Sequence, residues 1–85
     1  MKFPVKGELY RHYKGNLYRV LSVSVHTESN EYLVNYTNAL KREDKIWSRP
    51  LAVWSEAVEF KGDLVSRFRP VTSMAEYRRI SLMME

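Results

Sequence analysis

Aromatic rings and positive charges alternate near the start of the sequence, in the run Tyr-Arg-His-Tyr-Lys. On an extended strand, Tyr10, His12 and Lys14 share one face. The opposite face carries Arg11 and Tyr13. Rings stack on bases while cations contact phosphates, so this pattern is typical of a nucleic-acid-binding surface. The structural alternative is one ring in the core with the cations in water.

A second basic run reads Arg67-Phe68-Arg69. On a strand both arginines point to one side and Phe68 to the other, which indicates a half-buried strand with a strongly basic solvent face. That face fits contact with a polyanion as well as it fits plain solvation. The formal net charge of +4 is a modest basic excess that favours encounter with polyanions.

The run Trp-Ser-Arg-Pro places Trp47 and Arg49 on a shared face if the segment is extended. The forked donors of an arginine suit a carboxylate or a ligand phosphate. An aromatic cage for a cation is a further possibility for Tyr10, Tyr36, Trp47 and Trp54. Most of these rings are needed for the core, which favours the structural role.

A metal site is conceivable at His26 and Glu28, whose spacing lets both side chains point to one face, with Glu31 joining them across a turn. One histidine and two carboxylates can bind a metal with open positions. A hydrogen bond between His26 and Glu28 that fixes the turn is the favoured interpretation. His12 lies too far along the predicted hairpin to share a metal with His26. We therefore expect no metal and no cofactor.

Catalytic motifs are absent from the sequence, which has no cysteine, no Gly-x-Ser-x-Gly elbow, no phosphate-binding glycine loop and no His-x-x-x-His. These absences and a length of 85 residues favour a binding protein over an enzyme. The lack of cysteine favours a reducing compartment. With no signal-peptide pattern and no long apolar run, we expect a cytoplasmic protein without a membrane segment.

Strands must position most of these side chains. Gly15 and Gly62 stand in similar aromatic-Lys-Gly-Asn/Asp-Leu runs, and both predict hairpin turns. A change of alternation at Val20–Leu21 predicts a β-bulge or a strand buried on both faces. Residues 51–54 are expected to form a short strand or turn, and residues 38–44 a charged loop. The predicted strands are 8–14, 17–26, 31–37, 45–49, 58–61 and 65–69.

A helix is predicted after Pro70, because Ser73 and Glu76 have the spacing of a capping box. Tyr77, Ile80 and Met84 then recur at helical spacing. The favoured role is a lid over one end of the domain. An exposed Met-rich face that meets a partner or a second copy is the alternative.

Several segments resemble a bacterial family of uncharacterised proteins, domain-of-unknown-function family 1653. The resemblance covers about residues 5–70 and lies in the segments Gly7–Tyr18, His26–Glu28, Leu33–Tyr36, Ile46–Leu51 and Arg67–Phe68. This chain departs from the family in the loop Leu40–Asp44 and in having Trp54. The resemblance implies a small β domain found chiefly as a stand-alone bacterial protein, and it implies no activity.

We therefore expect a mostly β protein, with a small SH3-like five-stranded barrel in residues 1–70 and a C-terminal helix in residues 71–85. The leading function is a non-catalytic module that binds nucleic acid or a nucleoprotein. The alternatives are a protein- or peptide-binding adaptor, as a monomer or weak homodimer, and a small metal-dependent enzyme. The predicted ligand-binding residues are Tyr10, Arg11, His12, Lys14, His26, Glu28, Trp47, Arg49, Arg67 and Arg69.

Overall fold

The computed structural model describes residues 3–41 and 45–83. Within these residues the chain forms seven strands and two helices. They are β1 (Leu9–His12), β2 (Leu17–Val25), β3 (Tyr32–Asn38), β4 (Trp47–Pro50), α1 (Leu51–Trp54), β5 (Ala57–Phe60), β6 (Asp63–Ser66), β7 (Phe68–Pro70) and α2 (Met74–Met83).

Five strands form one antiparallel sheet in the order β4-β3-β2-β1-β7, and β5 and β6 form a separate two-stranded hairpin. This arrangement confirms a mostly β fold with a C-terminal helix. Strands β4 and β7 are the two edges of the main sheet. They do not pair with each other in the part of the chain that the structure describes, so the sheet stays open.

The main sheet is strongly curved. Tyr36 on β3 and Phe68 on β7 are separated by three inter-strand steps, which would span about 14 Å in a flat sheet. Their ring centroids are only 5.7 Å apart. A bulge in β2 helps the sheet bend, since the register with β3 shifts between Val20 and Ser22. This shift confirms the irregularity predicted at Val20–Leu21.

Both predicted glycine turns are confirmed. Gly15 lies between β1 and β2 with a φ of +113°, and Gly62 lies between β5 and β6 with a φ of +86°. Lys61 also has a positive φ, of 53°. Positive φ at both central positions of a two-residue loop is what a type I′ hairpin turn requires.

The predicted strand 65–69 is wrong as a single element, because the chain changes partners at Arg67. The Arg67 N–H donates to the carbonyl of Glu56, beside the hairpin, while its own carbonyl accepts from the N–H of Tyr13, beside the main sheet. Strand β6 therefore ends at Ser66, and Phe68 starts β7. The segment Leu51–Trp54 is a single helical turn rather than a strand. In the predicted loop 38–44, Asn38 instead ends β3, and residues 42–44 lie outside the described residues.

The core between the curved sheet and α1 is largely aromatic. Its central contact is the stack of Trp54 on Phe68, with centroids 3.7 Å apart and planes 6° apart. The buried members of this cluster are Tyr10, Val20, Val34, Tyr36, Leu51, Trp54 and Phe68. Burial of such rings supplies most of the hydrophobic stabilisation that a chain of this size can obtain.

Helix α2 packs on the sheet through Ile80, which is buried with Leu17 and Val71 in a second cluster. The Ser73 hydroxyl accepts a hydrogen bond from the N–H of Glu76 at 3.3 Å, so half of the predicted capping box is present. The Glu76 carboxylate forms an ion pair with Arg69. The predicted helical position Met84 lies outside the described residues. Neither helix in the described ranges is long and apolar enough to cross a membrane.

Candidate functional site

A cleft of about 300 Å³, called here the small cleft, opens beside His12 at the end of strand β1. Its cations are Lys14, Arg49 and Arg67. Its aromatic lining includes Tyr18, Tyr36 and Phe68. Positive charge and rings thus share one concave surface.

Three separate parts of the fold deliver the cations of the small cleft. Lys14 lies in the β1–β2 turn, Arg49 lies on the edge strand β4, and Arg67 lies where the chain passes from β6 to β7. The curvature of the sheet brings Arg49 of β4 over the ring of Phe68, which belongs to β7. The guanidinium carbon of Arg49 lies 5.4 Å from the centroid of that ring.

His12 forms the wall of the small cleft, with its ring centroid 5.0 Å from that of Phe68. Its Nδ1 accepts the backbone N–H of Lys14 at 3.1 Å. That bond assigns the proton of the neutral imidazole to Nε2. Burial lowers the pKa of His12 below 6.5, and the nearby charges of Arg49, Arg67 and Lys14 lower it further. At neutral pH the ring is therefore uncharged and carries its N–H at Nε2.

Positive charge in the small cleft is only partly neutralised. Arg67 pairs with the Glu56 carboxylate at 3.2 Å. Its Nε atom is buried and has no hydrogen-bond partner among the residues that the structure describes. Arg49 and Lys14 form no ion pair within residues 3–41 and 45–83. Like charges held this close repel one another, and an anion would relieve that repulsion.

A second cleft of about 510 Å³, called here the large cleft, lies between β1 and the β5–β6 hairpin. Arg11 and Arg69 line it and stand directly opposite each other in the β1–β7 pair. Arg69 is neutralised by the Glu76 carboxylate at 2.8 Å. The Phe60 ring of the hairpin meets the edge of the Tyr13 ring at a centroid distance of 5.4 Å. The large cleft is therefore basic on one side and apolar on the other.

Six of the ten predicted ligand-binding residues line these two clefts: Arg11, His12, Lys14, Arg49, Arg67 and Arg69. Trp47 lines neither cleft, but its ring centroid lies 6.0 Å from that of Tyr36, which lines the small cleft. Trp47 and Arg49 are both on the extended strand β4, and both pack against the same aromatic cluster.

Tyr10 lies in the core and lines neither cleft, with only 6% of its area exposed. Its ring meets Trp54 at 5.2 Å, and Tyr36 meets Trp54 at 5.1 Å. These rings pack directly against one another, so no space for a cation is left between them. They therefore do not form an open aromatic cage.

His26 and Glu28 lie in the exposed turn between β2 and β3 and do not reach either cleft. His26 is eight residues along the strand from Tyr18, a distance of about 25 Å. Its Nδ1 accepts the backbone N–H groups of Glu28 and Ser29 at 3.2 and 3.4 Å. The histidine thus fixes the turn through the backbone and not through a carboxylate. In the described part of the chain, no three His, Asp or Glu side chains lie close enough together to hold a metal.

Sequence reasoning missed some of the rings that complete the clefts, because these rings contact both the cleft and the core. Tyr18 could have been found, since alternation places it on the same face as buried Val20, one strand away from Tyr10. The contact of Tyr13 with Phe60 could not be found, because it joins the β1–β2 turn to a hairpin far along the chain. The other lining residues outside the predicted set are Asn16, Tyr36, Val65, Ser66 and Phe68.

Comparison with known proteins gives one family and one related structure. The model of the family described as "Protein of unknown function (DUF1653)" matches residues 8–70. A crystal structure of a DUF1653 protein from Bordetella bronchiseptica is similar to this chain, with a TM-score of 0.68 and 32% sequence identity. The match covers 79% of this chain and 87% of that chain. Among curated proteins no match is found.

Proposed function

The chain belongs to the DUF1653 family of proteins of unknown function, and we propose that it is a non-catalytic module that binds nucleic acid, free or in a nucleoprotein. The observation that carries this proposal is the convergence of Lys14, Arg49 and Arg67 on one ring-lined cleft. Phosphates satisfy clustered cations, and bases stack on accessible rings. The accessible rings of this cleft are those of the half-buried His12, Tyr13 and Tyr18. Each nucleotide of a strand offers one phosphate and one base.

Binding is favoured over catalysis by the state of His12. A general base needs a free lone pair on a ring nitrogen. The Nδ1 lone pair of His12 is engaged by the backbone N–H of Lys14, so the remaining nitrogen offers a donor. A neutral N–H donor beside three cations suits recognition of an anion.

We also propose that the curved sheet is an open version of an SH3-like barrel. Strands β1 to β4 form a meander, a single helical turn follows β4, and β7 returns to pair with β1. The β5–β6 hairpin is then an insertion before the last barrel strand. The contact of Tyr36 with Phe68 across three strand steps supports this curvature.

Binding of single-stranded and duplex DNA and RNA, measured by fluorescence anisotropy while salt is varied, tests the proposed function. We expect affinity at low salt that falls as salt rises, because each neutralised phosphate releases counterions. Affinity that is undetectable at low salt, or that does not respond to salt, would contradict the proposal.

A protein-binding adaptor that dimerises through α2 is the second candidate. Met74, Leu82 and Met83 are 68%, 73% and 68% exposed. With about 100° between successive residues of a helix, Leu82 lies about 80° from Met74, and Met83 lies about 180° from Met74. The three side chains therefore do not form one stripe, which makes this candidate the weaker one.

Light scattering after size exclusion separates the two candidates. Truncation at Pro70 would also remove Ile80 and uncover Leu17, so a surface change is the cleaner variant. A dimer that Leu82→Lys or Met83→Lys converts to a monomer supports the adaptor. A monomer that neither change affects argues against it.

A further inference from the structure

The small and large clefts adjoin along a shared wall. His12 and Tyr13 line both of them. The two rings have centroids 4.5 Å apart and planes tilted by 33°, so they form a single partition. A chain-like ligand that fills the small cleft can continue past this partition into the large one.

Each cleft carries its own positive charge. The small cleft has Lys14, Arg49 and Arg67. The large cleft has Arg11 and Arg69. Glu76 neutralises Arg69, but Arg11 forms no ion pair with any residue in the described ranges. An anionic ligand that spans both clefts would therefore meet cations at two successive positions.

The dimensions favour one nucleotide in each cleft. Pockets for small ligands start at about 300 Å³, which is the volume of the small cleft, about 300 Å³. The large cleft, at about 510 Å³, also lies in the lower part of this range. A ring can stack only on a base whose face is free, and in a duplex those faces are covered by neighbouring pairs. The ligand must therefore be single-stranded.

We infer that the unit of recognition is a dinucleotide of a single strand, with one nucleotide in each cleft and the His12–Tyr13 partition between their bases. This inference rests on the proposed nucleic-acid binding. The small cleft has more cations and takes the first nucleotide. The large cleft adds the second through Arg11 and the apolar side formed by Phe60 and Val65.

Isothermal titration of the full chain with 5′-phosphorylated thymidylates of one to four nucleotides, at low salt, tests this inference. We expect affinity to rise about tenfold from one nucleotide to two, as a second base stacks. Each later nucleotide should add less than about threefold, because it meets no further cleft and gains only from general attraction to the basic surface. Ribothymidylates of the same lengths, which differ from the first series only by the 2′-hydroxyl, form the second arm. A step at two nucleotides in either series supports the inference and identifies the preferred sugar.

Three matched variants assign the two positions. Arg11→Gln should remove most of the gain from the second nucleotide, and it should weaken the mononucleotide far less than the dinucleotide. Arg49→Gln should weaken the mononucleotide and the dinucleotide alike. Arg19→Gln removes the same charge from an exposed site outside both clefts and should affect neither.

Equal steps at every length up to four would overturn the dinucleotide unit. So would tighter binding of a duplex, or normal dinucleotide affinity in Arg11→Gln. In each of these cases, salt-dependent binding of longer strands would still support the proposed function. No salt-dependent binding to any strand would overturn the proposed function as well. A hexaglutamate peptide serves as the protein-like polyanion. If it binds more tightly than the dinucleotide and is weakened by Arg49→Gln, the ligand is an acidic protein segment and both proposals fail.

Discussion

The guanidinium carbon of Arg49 lies 5.4 Å from the ring centroid of Phe68, although the two residues belong to opposite edge strands of one sheet. Four strand steps separate β4 from β7, which is about 19 Å in a flat sheet. Curvature closes this distance and places a cation over a ring that is itself stacked on Trp54. Phe68 therefore belongs both to the core and to the lining of the small cleft.

Replacement of Arg49 by glutamine should weaken nucleic-acid binding by about ten- to a hundredfold, since a hydrogen bond to a charged group contributes about 1.5–3 kcal/mol. The slope of log affinity against log salt should also decrease in magnitude by about one, because one phosphate contact is lost. Anisotropy titrations at several salt concentrations measure both quantities. Arg19→Gln is the matched control, and an equal loss in that variant would show that only overall charge matters.

Truncation of Phe68 to alanine should lower the free energy of unfolding by about 3–5 kcal/mol, because it opens a cavity beside Trp54 in the tightest part of the core. Phe60→Ala makes the same chemical change at a ring that is 36% exposed, and it should cost about 1 kcal/mol or less. Urea unfolding followed by tryptophan fluorescence gives both values. Similar losses at the two positions would show that the core does not centre on the Phe68–Trp54 stack.

Stability should decrease as pH falls below about 6.5, the ordinary pKa of histidine, because burial and then Arg49, Arg67 and Lys14 lower the pKa of His12 in the folded state. The unfolded chain takes up this proton at a higher pH than the folded chain does. Between the two pKa values the unfolded state therefore binds more protons, and stability is lost. Below the folded pKa the contribution of His12 no longer changes.

Urea unfolding at a series of pH values measures this effect. His12→Gln should flatten the dependence in the window below about 6.5, and His26→Gln should retain the His12 contribution. A bound nucleotide phosphate should raise the pKa of His12, which NMR of the ring protons can follow. A wild-type slope that survives in His12→Gln would contradict the assignment.

Replacement of Gly62 by alanine should destabilise the β5–β6 hairpin by about 1–2 kcal/mol, the cost of a left-handed conformation for a residue with a Cβ. A Cβ at this position would meet no atom within 4 Å, so the cost comes from the backbone alone. Lys61→Asn should act in the opposite direction, because asparagine tolerates the positive φ of that position. Amide hydrogen exchange of β5 and β6 measures both changes, and exchange that is unaltered in Gly62→Ala would contradict this explanation.

Local chemistry made part of the fold predictable. Positive φ at Gly15 and Gly62 follows from turn composition, and the bulge after Val20 follows from a break in alternation. The start of α2 followed from Ser73. Each of these features depends on residues only a few positions apart, so the local sequence is sufficient to predict it.

The candidate site was predictable only as a set of residue types. Arg49 and Arg67 were predicted to bind a ligand, but their position in one cleft depends on curvature accumulated over the whole sheet. Arg67 leaves the strand pattern because its backbone bonds to Glu56 and Tyr13, which belong to different sheets. Tyr10 belongs to the same alternating run as Arg11, His12 and Lys14, but its ring packs against Trp54 and is buried in the core. Such outcomes are set by tertiary packing, which outweighs local pattern.

Both edges of the main sheet end in proline. Pro50 closes β4 opposite Leu33, and Pro70 closes β7 opposite Tyr10. These edge strands are four and three residues long, and a proline donates no N–H. A neighbouring molecule would find few free donors with which to extend the sheet. The open sheet is therefore protected against edge-to-edge aggregation without closing into a barrel.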